Sequence, residues 1–278
     1  MRNFRGLLSA VGRSDIFAGI CAGLIISLGI LAIVKVYGVG AGWPKGSPPA
    51  VFAHSSVPQL RFADLRGEKA SPDARYLADW IADSHDAAGS AFVIIDKKDA
   101  KVYVFDGDAR LRGAAPVLLG GARGDDSVPG IGLRPINEVL PEERTTPAGR
   151  FVGERGHNAR GEDVVWVDYD AAVSMHRVLT TNPEERRLER LATPTNEDNR
   201  ISYGCINVPV AFFEAYIQPA FASQHAIVYV LPEFKSFDQV FGSYDVAASS
   251  RRVLPDQAQR ASSGRDEVVT HPVHRSAL

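Results

Sequence analysis

The sequence predicts a mainly β domain with short helices, carried behind a single N-terminal transmembrane helix. Three observations lead there. The N-terminus holds one long uncharged apolar run, the interior is a series of β-branched and aromatic runs cut by turn residues, and helical periodicity is confined to short stretches. The 278 residues carry 31 basic and 33 acidic side chains, for a net charge of −2, and 45% are hydrophobic. That composition excludes wholesale disorder, and the missing basic surplus argues against a nucleic-acid partner.

Ile16 to Val34 is free of charge and contains one hydroxyl, Ser27. It matches the roughly 20 apolar residues that span a bilayer and exceeds the about 7–15 of a cleaved signal's apolar region. Lys35 and Tyr37 follow at interfacial depth, so an uncleaved signal anchor is expected over residues 1–37. Arg2, Arg5 and Arg13 precede the span against Asp15 alone, which keeps the N-terminus cytoplasmic and exports the rest. Gly19 and Gly23 form a small-xxx-small pair through which two anchors would pack as a dimer. Residues 38–70, Gly- and Pro-rich at first, read as a linker.

The main folded domain is expected over 71–245. Ser71-Pro72-Asp73 is a helix start: a hydroxyl cap, proline in the first turn, and an acid at the positive helix end. Leu77, Ala78 and Ile81, flanked by Ala74 and Trp80, supply the apolar face of a helix that ends before Gly89. Ala91–Ile95 and Lys101–Phe105, split by the charged turn Asp96-Lys97-Lys98-Asp99, predict a hairpin. Arg112 to Leu119 extends it into an antiparallel meander. The stretch 121–143 lacks periodicity and is expected as a surface loop. Thr145 to Phe151 reads as a turn feeding a strand, with His157 in a glycine-flanked loop beyond it. Val164–Val167 and Ala172–Met175 are strands, the latter ending at His176. Residues 182–200 are densely charged and are expected as an exposed helical insertion. Pro209 as a first-turn proline opens a short helix over Ala211–Tyr216, and Ala226–Leu231 is a last core strand. The tail 246–278 is polar and expected to be disordered.

Cys21 falls within the anchor, which leaves Cys205 as the one exported thiol, with no internal disulfide partner. In an oxidising compartment such a cysteine is buried and inert, half of an intermolecular bridge, or a kept nucleophile. Its surroundings, Ile201-Ser202-Tyr203-Gly204-Cys205-Ile206-Asn207-Val208-Pro209, favour the last. Gly204 permits a turn that leaves backbone N–H groups unobstructed, and those groups suit the oxyanion formed when a thiolate attacks a carbonyl. A base is needed. His54 lies in the linker, His271 and His274 in the tail, His85 at a helix end, and His225 after a loop; His176 stands at the end of an apolar strand, where a rigid element can aim it. No His/Cys cluster has zinc spacing, so neither metal nor cofactor is expected.

Over about residues 91–231 the chain resembles the L,D-transpeptidases of the YkuD type. The resemblance rests on the opening hairpin with Tyr103-Val104-Phe105, on Leu119-Gly120, on Thr146-Pro147-Ala148-Gly149-Arg150-Phe151, on His176, and on Ser202-Tyr203-Gly204-Cys205-Ile206-Asn207. It implies a YkuD-like β-sandwich or barrel and an exported enzyme whose partners are peptidoglycan stem peptides. It further implies Cys205 as nucleophile, His176 as base, the Arg177 carbonyl orienting the imidazole, and Ser202, Tyr203, Gly204 and Asn207 serving the oxyanion or the substrate. Two departures stand out: Tyr203 replaces the family's usual histidine, and the His176-to-Cys205 interval is longer than usual. A sortase is disfavoured because no arginine lies between Cys205 and Arg251, and a papain-like peptidase because it places cysteine before histidine. The remaining alternative is a catalytically inactive peptidoglycan-binding or envelope scaffold protein.

Overall fold

The computed structural model describes residues 59–222 and 225–249. The expected anchor with its Gly19/Gly23 pair, the first part of the linker and residues 250–278 of the expected tail lie outside the described residues, whereas residues 246–249 of that tail are helical, with Val246 buried in the core. Among the described residues no helix is long and apolar enough to cross a membrane.

Helix α1 (Pro72–Ser84) begins as its sequence dictates. The Ser71 side chain accepts from the Ala74 N–H at 3.0 Å, proline occupies the first turn, and His85 ends the helix in the left-handed region at φ 58°. Leu77, Ala78, Trp80 and Ile81 are buried, and covering a side chain such as Leu77 contributes about 1.5–3 kcal/mol. Ten strands follow: β1 (Phe92–Asp96), β2 (Lys101–Phe105), β3 (Leu111–Pro116), β4 (Leu119–Gly120), β5 (Gly149–His157), β6 (Asp163–Asp168), β7 (Val173–Arg177), β8 (Arg200–Ser202), β9 (Ile206–Val208) and β10 (Ala226–Val230). Eight form one mixed sheet in the order β3-β2-β1-β10-β5-β6-β7-β9; β4 and β8 pair separately. The mainly β class with short helices thus describes the fold.

The first three strands make the expected meander, but β1 runs parallel to β10, β7 to β9 and β4 to β8. The inner strands are buried on both faces. Phe92, Ile94, Tyr103, Phe105, Ile227 and Tyr229 pack with α1, while Val93, Ile95, Val102, Val104 and Val228 share a second core with Val165, Met175 and Ile206. Strands near both ends of the sheet order contribute to that second core, so the sheet curls around it. A chain buried on two faces reads as a continuous apolar run rather than an alternation, which is why Phe92–Ile95 does.

Several local expectations need correction. The strand expected over Arg112–Leu119 is broken, because Pro116 lacks the N–H to continue the ladder; Val117 donates instead to Ala100 O, and β4 joins β8. His157 closes β5 rather than lying in a loop, since its partner Asp163 extends the β5–β6 hairpin. Pro209 is the cap preceding a helix, not its first residue. That helix, α3, runs through an α turn (Val210–Phe212), a π turn (Phe213–Ile217) and a second α turn (Gln218–Ala220), with Phe212, Phe213 and Ile217 in the core. Within the stretch expected as linker, Ala63 and Leu65 are buried against the α1 layer and Asp64 bridges Arg110. A helix the sequence reading passed over, α4 (Phe237–Phe241), is closed by a capping box between Ser236 and Gln239.

The charged 182–200 segment holds a 3-10 turn, Pro183–Glu185, and helix α2 (Arg187–Ala192). It is only partly exposed. Leu191 packs with Leu118, Val178 and Ile201, and Asn199 is buried with its amide donating to Val117 O at 3.0 Å.

Candidate active site

Strand alternation places Ser174 and His176 on one face of β7, two residues apart. The parallel register Met175↔Ile206, His176↔Asn207 and Arg177↔Val208 then sets the residue before β9, Cys205, alongside Ser174. The Ser174 N–H donates to Cys205 Sγ at 3.5 Å and the Ser174 hydroxyl lies 3.6 Å from it. Sγ also faces Ala172 O at 3.7 Å. The thiol is half-buried and unpaired with any other cysteine.

His176 Nδ1 is bonded to the Arg177 carbonyl at 2.7 Å, so this nitrogen carries the proton and Nε2 is left without one in the neutral ring. The two side chains lie near enough to shift each other. Burial pushes the Cys205 thiol up, but the imidazole beside it, followed by the Ser174 N–H and hydroxyl, brings it below an ordinary thiol. Burial pushes His176 down, while the sulfur and then the Arg177 carbonyl bring it above an ordinary histidine, against the nearby Arg187 charge. Both shifts favour a thiolate–imidazolium pair. Alkylation of Cys205 by iodoacetamide is therefore expected to titrate below a free cysteine. In His176→Ala the principal lowering causes are gone and burial remains, so the midpoint should move above the free value. A midpoint unchanged by that substitution would show that His176 does not ionise the thiol.

The turn before the cysteine is held from several sides. Gly204 has φ +127°, and a Cβ on it would come 2.8 Å from Thr145 O, so glycine is required there. Its N–H donates to Ser202 Oγ at 3.1 Å, and Ser202 Oγ donates to Cys205 O at 2.6 Å. Ser202 thus closes the loop internally. Among the described residues no acceptor engages the N–H of Tyr203 or of Cys205. Asn207 is fully buried; its Nδ2 donates to Cys205 O at 3.3 Å and its Oδ1 accepts from Arg187 at 2.6 Å. Both ends of the Asn207 amide are thus engaged within the protein, at the cysteine loop and at Arg187. Tyr203 is exposed and its ring lies 4.0 Å under the Arg144 guanidinium.

Two residues at the site escaped the sequence reading, Ser174 and Arg187. The first was legible from its two-residue spacing to His176. Arg187 reaches the site from the charged insertion, which no local pattern announces. His176 also lines a cavity of about 380 Å³ with Asp163, Arg177, Leu179 and Val210. Among the described residues no group of His, Cys, Asp or Glu is placed to hold a metal ion.

No protein-family model matches the chain, and no curated protein does. Solved structures similar to it include the helical cell shape determining protein Pgp2 from Campylobacter jejuni, at 17% identity over 52% of this chain and 49% of that one, with a TM-score of 0.35. They also include an L,D-transpeptidase from Mycobacterium smegmatis (13% identity, 51% and 58% covered, TM-score 0.32) and the Enterococcus faecium L,D-transpeptidase (13%, 51% and 50%, 0.30). The chain spans about half the length of the first of these structures.

Proposed function

We propose that this chain is an exported cysteine acyltransferase that acts on peptidoglycan stem peptides through a Cys205 thioester, an L,D-transpeptidase held at the membrane by Ile16–Val34. The observation that carries the chemistry is the β7–β9 register, which sets Cys205 beside Ser174 and near His176, whose Nδ1 is fixed on Arg177 O at 2.7 Å. The choice of substrate rests on the motifs around Thr146, His176 and Cys205.

The thiolate attacks the carbonyl carbon of an L-centre to D-centre peptide bond. An S–C bond forms and the carbonyl π pair moves onto oxygen, where the N–H groups of Tyr203 and Cys205 receive it. The pair returns, the C–N bond breaks, and the departing amine takes the proton of the His176 imidazolium. An amine of a second stem then attacks the thioester and gives its proton to the neutral imidazole. The C–S bond breaks and the thiolate–imidazolium pair is restored. Water in place of the amine yields the shortened stem.

Incubating the full chain with a disaccharide-tetrapeptide and separating the products tests this. A cross-linked dimer or a tripeptide is expected, together with an acyl adduct on Cys205 by mass spectrometry. Unchanged substrate and an unmodified Cys205 would leave the binding or scaffold role in its place.

A further inference from the structure

Thr146 stands outside the dyad and is completely buried. Its hydroxyl accepts from the Gly120 N–H at 2.9 Å and donates its one proton to Gly204 O at 2.8 Å. A hydroxyl offers a single proton, so both of its roles are committed. Gly204 O belongs to the same peptide unit as the Cys205 N–H. That unit is planar and trans, so fixing the carbonyl direction fixes the N–H to point the opposite way.

The anchor at the other end is stiff. Thr146 O accepts from Lys97 Nζ at 3.0 Å, and this ammonium is fully buried and paired with Asp125 at 2.8 Å. Gly120, the other partner of the hydroxyl, lies in β4, and the next residue, Gly121, donates to Ser202 O at 2.8 Å. Thr145 O occupies the place a side chain on Gly204 would need, 2.8 Å from where its Cβ would lie. The Gly204–Cys205 peptide is therefore held on a scaffold independent of His176 and Ser174. We propose that Thr146 is a positioning residue for the oxyanion site: it aims the Cys205 N–H at the developing negative oxygen and leaves the nucleophilicity of the thiolate untouched.

This rests on the acyl-transfer reading above, and two reactions of the same sulfur separate the two ideas. Alkylation by iodoacetamide displaces iodide and forms no oxyanion. Acylation by a carbapenem passes through one. In the full chain, Thr146→Val keeps the shape and loses the donor; Thr146→Ser keeps the donor.

Thr146→Val is expected to alkylate within about threefold of the parent and to acylate at least tenfold more slowly, approaching the hundredfold typical of a lost oxyanion donor. Thr146→Ser should restore acylation to within about threefold. Equal acylation by Thr146→Val and the parent would overturn the proposal. So would a parallel fall in both rates, which would mark a general distortion of the loop, or failure of the serine variant to rescue. A parent protein that alkylates but never acylates would instead refute the acyl-transfer reading, and the proposal with it.

Discussion

Replacing Cys205 with alanine is expected to abolish product formation from a tetrapeptide stem, and His176→Ala to do nearly the same. Each removal should cost on the order of 10³–10⁶-fold in turnover, the scale seen when one member of a nucleophile–base unit is lost. The double variant should be no worse than the worse single one if the two groups serve the same step. The fold should survive. Cys205 Sγ contributes only long contacts to Ser174 and Ala172, and His176 is not among the buried core residues. Turnover is read by product separation and folding by near-ultraviolet circular dichroism on the same preparations. Undiminished product from Cys205→Ala would end the case for a thioester, whatever His176→Ala does.

The largest loss of stability is expected at Lys97→Met. The Lys97 ammonium is fully buried and donates to Gly124 O at 2.5 Å, Asp125 Oδ1 at 2.8 Å and Thr146 O at 3.0 Å. Asp125 also accepts from the N–H groups of Glu233, Phe234 and Lys235, and Glu233 pairs with Arg200 at 2.5 Å. The network ties the β1–β2 turn, the Gly124–Asp125 loop, the Thr146 turn and the segment after β10 to one another. Burial pushes the Asp125 carboxyl up, but Lys97 and the three amides hold it well below the usual carboxylate range. Burial likewise pushes Lys97 below an ordinary lysine, against the pull of Asp125 and Glu233. Removing the ammonium leaves the buried Asp125 carboxylate without its cation, which costs about 3–5 kcal/mol. Urea unfolding at neutral pH measures it, and a loss below about 1 kcal/mol would mean that water or Arg200 replaces the ammonium.

A lowered carboxyl pKa contributes stability that is present above the unfolded carboxylate value. The Asp125 contribution should therefore persist at neutral pH and fade only as pH falls through the strongly acidic range.

The hairpin Phe92–Phe105, the capped helix behind Ser71, the strands at Val164 and Ala226, and the glycine–cysteine turn were all visible in the amino-acid order. In each case the signal is carried by neighbours within a few residues: an apolar run, a cap, a spacing of two. The same local view read Asp96-Lys97 as part of a charged turn, and burial is what it did not give: both residues are 1% exposed. It took the charged insertion for a surface helix, where Arg187 bonds Asn207 behind the cysteine.

Sequence alone determined which residues have chemistry to offer: a thiol that follows a glycine, a histidine at a strand end, and a glycine that keeps the turn open. Tertiary structure decided that they meet. The parallel pairing of β7 with β9 closes the long interval between His176 and Cys205, and only burial against distant segments turns Lys97, Ser174 and Thr146 into supports of the site. Backbone propensity and periodicity are properties of adjacent residues, whereas desolvation and strand partnership belong to groups brought together from far along the chain.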